Sequence, residues 1–68
     1  MRDVTIRDGE IRLGQFLKLA DAIELGSDAK LLLGSGRVEV NGAGEERRGR
    51  QLHRGDVVRV DDESYRVC

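Results

Sequence analysis

The run Gly36-Arg-Val-Glu-Val-Asn-Gly42 constrains the fold of this chain more than any other stretch. Its first glycine can take the left-handed conformation that ends a helix. Val38 and Val40 alternate with Arg37 and Glu39, so a strand here buries one face and wets the other. Asn41-Gly42 tolerates the positive φ angles of a tight turn. The run therefore predicts a helix before it and a returning strand after it. A little further on, Arg47-Arg-Gly-Arg50 places three arginines within four positions. A planar guanidinium donates paired hydrogen bonds, which makes such a loop a common holder of phosphate.

On either side the hydrophobic pattern is short-period, then helical, then short-period again. Val4-Thr-Ile6 is a β-prone run ended by the turn signal Asp8-Gly9. Leu13, Phe16, Leu17 and Ala20 fall at i, i+3, i+4 and i+7, and Leu19 and Ile23 widen that face, so the spacing predicts a helix over about residues 13–23 that stops before Gly26. Ser27 is the expected N-cap of a second short helix, with Asp28 at the positive end of its dipole and Ala29, Leu32 and Leu33 facing inward. Gly34 or Gly36 ends it. Gly44 to Arg50 reads as an exposed loop with room for a brief strand at Arg47-Arg48, and Leu52 returns to the core. Gly55-Asp56 turns the chain into Val57–Val60 and Ser64–Val67, a hairpin about Asp61-Asp62. This order predicts an α+β fold: one domain over residues 1–68, with two short helices packed on a small, mainly antiparallel sheet.

Several function classes are disfavoured by what the chain lacks. Its 68 residues allow one small core, and with no tryptophan, one phenylalanine and one tyrosine that core is aliphatic. The single cysteine, Cys68, forms no intramolecular disulfide, and one cysteine with one histidine makes a poor zinc site. No cofactor is expected. No apolar stretch suits a leader or a membrane span, so a cytoplasmic protein without membrane contact is expected. His53 stands alone in a turn region. No paired carboxylates or nucleophile–base pair suggest an enzyme. Gly34-Ser-Gly36 follows a helix instead of opening one, so it is a helix stop and not a nucleotide loop. Arg54-Gly-Asp56 is read as turn chemistry.

Charge is unevenly spread. The net charge is −1, but residues 1–29 carry −2, residues 30–59 carry +3 and residues 60–68 carry −2. A basic middle between acidic ends suits one cationic face that meets a polyanion while the remainder repels it.

Arg12-Leu13 opens the first helix, and Ala29-Lys30-Leu31-Leu32-Leu33 lies in the second. The whole of Gly36–Gly42 follows, and Gly55-Asp56 leads into the apolar Val57-Val58. In this order these segments resemble the S-four-like RNA-binding domain, the αL motif named after a small-subunit ribosomal protein. The likeness covers about residues 11–60, most of the chain. Leu13–Lys18 and the Arg47–Arg50 loop look like the short stand-alone bacterial branch, whose members are free domains and not appendages of an enzyme. Two positions depart from the family pattern. Gly14 stands where many members have aspartate, and Leu25-Gly26 stand where many have a Ser-Arg pair whose arginine contacts RNA.

The resemblance implies a non-enzymatic module for structured RNA, ribosomal RNA or a related helix–loop junction, associated with the ribosome; nothing in the sequence demands more than a monomer. Arg47, Arg48 and Arg50 are its main candidate contacts, since a glycine-flanked loop lets all three reach one ligand. Lys30 near the start of the second helix, Arg12 at the start of the first, Arg37 on the wet side of the strand and Asn41 complete the candidate RNA-binding set. Asn41 has a geometric role in its turn as well. Lys18, six residues after Arg12, need not share its face. Two other classes fit parts of the chain. Residues 13–33 offer the two helices of a helix-turn-helix DNA binder, though without Asn, Gln or Arg on the second helix to read base edges. A net charge near zero with acidic ends suits a protein-interaction adaptor for ribosomal or RNA-modifying machinery.

Overall fold

The computed structural model describes residues 1–68. In chain order it contains β1 (Arg2–Val4), β2 (Glu10–Arg12), α1 (Leu13–Leu19), α2 (Gly26–Gly34), β3 (Val38–Val40), β4 (Ala43–Gly44), β5 (Gln51–His53), β6 (Val57–Val60) and β7 (Glu63–Val67). Five strands form a sheet in the order β1-β7-β6-β3-β4, while β2 and β5 pair as a separate antiparallel ribbon. Within the sheet only β1 and β7 run parallel. The chain thus adopts the expected α+β arrangement of two short helices on a mainly antiparallel sheet.

The strand register sorts side chains by face. Val38 stands opposite Val60, Val40 opposite Val58, Val58 opposite Tyr65 and Val4 opposite Val67. All of these are buried. Between them Glu39 stands opposite Arg59 and Asp3 opposite Arg66, the latter an ion pair at 3.0 Å. One face is therefore dry and the other wet, as alternation in an antiparallel sheet allows. Leu13, Phe16 and Leu17 of α1 join Ala29, Leu32 and Leu33 of α2 against the dry face, in a single core of 17 apolar residues.

The helix ends differ from expectation in instructive ways. α1 stops at Leu19, a turn earlier than its periodicity predicts. The Ala22 amide donates to the Leu17 carbonyl at 2.9 Å and the Asp21 amide to the Lys18 carbonyl at 3.1 Å, with Asp21 at φ 60°. That is the hydrogen-bond pattern of a Schellman stop, with aspartate in the left-handed position that glycine usually fills. Ile23 is buried all the same, carried inward by irregular chain, whereas Leu19 is half exposed and does not widen the inward face. At the next helix the extended Leu25 is the N-cap residue, and the Asp28 carboxylate accepts from its amide at 3.2 Å. Ser27 lies inside the first turn and caps nothing. An acid at the third helical position reaches back and satisfies the amide instead. Gly36, at φ 77°, ends α2 as its position predicts.

Elsewhere the first strand falls at Arg2–Val4, two residues early, and Arg47-Arg48 forms no strand. Asn41 and Gly42 adopt φ 52° and 85° between β3 and β4. The Asn41 side chain also ties this turn to the start of β6: its oxygen accepts from the Val57 amide at 2.9 Å and its NH₂ donates to Asp56 Oδ1 at 3.1 Å.

Candidate functional site

After β4 the chain must cross from the sheet back to the helices, and Glu45 organises the crossing. Its amide donates to the Val38 carbonyl at 3.0 Å, which pins it beside β3. Glu45 is the one buried charged residue of the molecule, 7% exposed. Its carboxylate accepts from Arg47 through Nε and Nη2, both at 3.2 Å, and from Arg50 Nη1 at 2.9 Å. The amides of Glu46 and Arg47 add two further bonds, at 3.2 and 3.3 Å. Charge-assisted bonds of this kind favour the ionised form. Arg47 first and Arg50 second hold the Glu45 carboxyl at about 2, against the opposing effect of burial.

The arginine loop is thus wrapped around an internal anion. Of the three guanidiniums expected to reach one ligand, those of Arg47 and Arg50 also bond Glu45. Arg48 has no carboxylate partner and turns the other way. Its carbonyl accepts from the Gly14 amide at 2.9 Å, and the Arg50 carbonyl accepts from the Leu13 amide at 2.8 Å. The loop backbone thereby satisfies two amides of the first turn of α1, which a helix leaves without intrahelical partners. The Arg48 side chain then runs directly over Gly14.

Between the starts of α1 and α2 and this loop lies a groove lined by Arg12, Gly14, Gln15, Lys18, Gly26, Ala29, Arg48 and Gly49. No carboxylate lines it. Arg12 donates from Nη1 to the Gly49 carbonyl at 3.2 Å, which orients its guanidinium along the rim. Lys18 belongs to the same groove, although six residues separate it from Arg12. Arg12 is the extended N-cap residue of α1, so helical periodicity does not govern its direction. Gln15 and Lys18 share a flank by their i, i+3 spacing. On the far side of Arg48 a smaller groove is lined by Lys30, Leu33, Gly34 and Glu46. Arg48 is the wall between the two.

The remaining candidates lie elsewhere. Arg37 does not extend this surface. The Asp61 amide donates to the Arg37 carbonyl, so the β6–β7 turn brings the Asp61 carboxylate beside the guanidinium, which donates to it from Nε at 2.9 and 3.1 Å and also from Nη2. The hydrogen bonds from Arg37 hold the Asp61 carboxyl below its ordinary value. The Asn41 carboxamide is occupied at both ends by Asp56 and Val57. No group of three or more His, Cys, Asp or Glu side chains could hold a metal ion, and no helix is long and apolar enough to cross a membrane.

Comparison with known proteins gives the geometry a context. A family model described as the S4 domain matches residues 4–68. The chain is 48% identical over 58 residues to a Bacillus subtilis (strain 168) protein named probable ribosome maturation protein RlbA, an alignment covering 85% of this chain and 82% of that one. Among solved structures it is similar to the crystal structure of the 30S ribosomal protein S4e from Thermoplasma acidophilum, with a TM-score of 0.66 and 25% identity. That match covers 88% of this chain and 32% of the S4e chain, about a third of its length.

Proposed function

The chain belongs to the S4 domain family, and on that premise we propose that it is a non-enzymatic module that binds structured RNA, ribosomal RNA or a related helix–loop junction, in a ribosome-related role. The observation that carries this reading is the groove that gathers Arg12, Lys18 and Arg48 without one carboxylate, in a chain whose net charge is −1. Lys30 adds a cation beyond Arg48, in a groove it shares with Glu46. Arg47 and Arg50 shape the loop, and Arg47, whose side chain is 76% exposed, keeps a free edge for a phosphate. The names of the matched Bacillus and Thermoplasma proteins, a ribosome maturation protein and a ribosomal protein, support the ribosomal setting.

The kind of contact follows from the side chains on offer. A-form major grooves are too narrow to read, so contacts go to phosphates, 2′-hydroxyls and backbone shape. Phe16 and Tyr65, the two aromatic residues, are both buried, which leaves no platform on which single-stranded bases could stack. α2 exposes Ser27, Lys30 and Leu31, with Asp28 half-buried, and offers no Asn, Gln or Arg for reading base edges in DNA.

The test is a titration against a structured rRNA fragment, a DNA duplex of matched length and single-stranded RNA, each at two salt concentrations. Structured RNA is expected to bind tightest, with log K falling against log salt at a slope of about −2 to −4 for three to five neutralised phosphates. Equal affinity for the DNA duplex would reduce the reading to generic electrostatics. Absence of binding to any structured RNA would leave the protein-adaptor reading in its place.

A further inference from the structure

We infer that the groove on the other flank of α2 is a docking surface for a basic protein segment, one rich in Lys and Arg that carries at least one aliphatic side chain. This groove lies between the α1–α2 connection, the outer side of α2 and the β6–β7 turn. Its rim carries Asp21, Glu24, Asp28, Asp61, Asp62 and Glu63 against one cation, Arg37, which Asp61 already neutralises. Six carboxylates against one guanidinium leave five negative charges in a molecule whose total is −1, so the rest of the chain is net positive.

The floor is apolar and includes Ala22, Leu31, Leu32 and Tyr65. Leu31 is 75% exposed, which makes it, with Met1, the most open large apolar residue in the chain. A lone exposed leucine needs no explanation, but this one lies in a concave site ringed by acids. At 100° per residue, Asp28 and Leu31 project from one flank of α2 and Gly26, Lys30 and Gly34 from the other. The acidic groove and the cationic groove are thus separated by the body of one helix, and both can be filled together.

Charge complementarity selects the occupant. RNA is repelled by five uncompensated carboxylates. A divalent cation has no cluster of ligands to hold it, and it has no use for Leu31. A basic peptide chain uses both parts of the site, laying Lys and Arg stems along the apolar floor while their charged heads reach the rim, and setting an aliphatic residue on Leu31. The acidic groove keeps this chemistry whether or not RNA occupies the cationic one.

The experiment uses the ¹⁵N-labelled chain and two synthetic peptides, one alternating Lys and Arg with Leu at every fourth position, the other with those leucines replaced by Ser. Shift changes are expected at the amides of residues 21–24, 31–32 and 61–63. The leucine peptide should bind about tenfold more tightly than the serine peptide, the size expected for burying one aliphatic side chain. Leu31→Ser, a surface change, should abolish that difference and lower the melting temperature by no more than about 3 °C, the cost of a poorer helix former. Asp62→Asn with Glu63→Gln should weaken both peptides and flatten their salt dependence. Equal binding of the two peptides, with shifts scattered over Asp3, Glu10 and Glu39, would overturn the proposal. So would concentration-dependent broadening of the groove amides without peptide, which would assign the surface to a second copy of the chain.

Discussion

Arg48 lies so close over Gly14 that a Cβ at residue 14 would stand 2.4 Å from Arg48 Cγ and 3.1 Å from its Cδ. Cγ is near the root of the side chain, so while the Arg48 carbonyl stays held by the Gly14 amide the side chain must swing to another rotamer to clear such an atom. This relationship gives a physical reason for glycine immediately after Arg12-Leu13. An aspartate there would collide with the arginine and put a carboxylate into a groove that has none. Gly14 and Arg48 therefore act as one device, the first making room and the second supplying the charge.

Gly14→Ala separates room from charge. Alanine favours a helix by about 0.5–1 kcal/mol over glycine, and the collision offsets that gain, so stability should change by less than about 1 kcal/mol. Affinity for structured RNA should fall toward that of Arg48→Ala, and the double variant should be no worse than Arg48→Ala alone. Titration of all three variants checks this. Parental affinity in Gly14→Ala, with Arg48→Ala impaired, would show that the placement of Arg48 does not matter.

The three loop arginines should separate by property. Arg48→Ala should leave the melting temperature unchanged, weaken structured RNA at every sequence and reduce the salt slope by about 1. Arg50→Ala should lower the melting temperature most, because its side chain is 34% exposed and its 2.9 Å bond serves a buried carboxylate. Arg47→Ala should fall between them in stability, since its guanidinium is 76% exposed. Thermal melts beside RNA titrations decide the order. A loss of RNA affinity in Arg50→Ala larger than in Arg48→Ala, at equal fraction folded, would exchange the roles of these two residues.

Asn41 tests whether a turn residue also contacts RNA. Asn41→Ala loses the bonds to Val57 and Asp56 and must hold φ 52°, so urea unfolding should show a loss of about 2–3 kcal/mol. Asn41→Gly keeps the backbone freedom and should recover roughly half of that. With the fold retained, Asn41→Gly should bind structured RNA like the parent. A clear loss of affinity would assign the carboxamide a ligand contact beyond its structural one.

How much of this was legible in the sequence depended on range. Gly36, Val38, Val40, Asn41 and Gly42 announced their conformations because each acts locally, through φ or strand alternation. The inward residues of both helices were legible from spacing for the same reason, except Leu19, which spacing placed inward and which is half exposed. The stop at Asp21 was not, because an aspartate rather than glycine takes the left-handed position. β2 and β5 were hidden because three-residue strands gain their identity only by pairing across about 40 residues. The site was half legible. The arginines were plain, but their division by Glu45 depends on a carboxylate that sequence shows only as an acid beside bases. Arg12 and Lys18 share a groove because the N-cap backbone breaks the helical spacing between them.

That carboxylate gives the last prediction. Glu45 titrates at about 2 in the folded chain against an ordinary 4.5, because Arg47 and Arg50 bind its ionised form. Between these values the unfolded chain takes up a proton that the folded chain refuses, so stability rises with pH across the window. The contribution is complete above about pH 4.5 and is lost as pH falls from there through about 2. Asp61, lowered by its bonds from Arg37, adds to the acid dependence. So does Asp56, where burial pushes upward but the bonds from the His53 amide and Asn41, with the attraction of nearby positive charge, bring it below its ordinary value. Glu45→Gln should isolate the first contribution. Its melting temperature should lie well below the parent's at pH 7, and the two curves should converge as pH approaches 2, leaving the slope from Asp56 and Asp61 in both. Curves that stay parallel from pH 7 to 2 would mean that Glu45 is not the anion around which the loop is built.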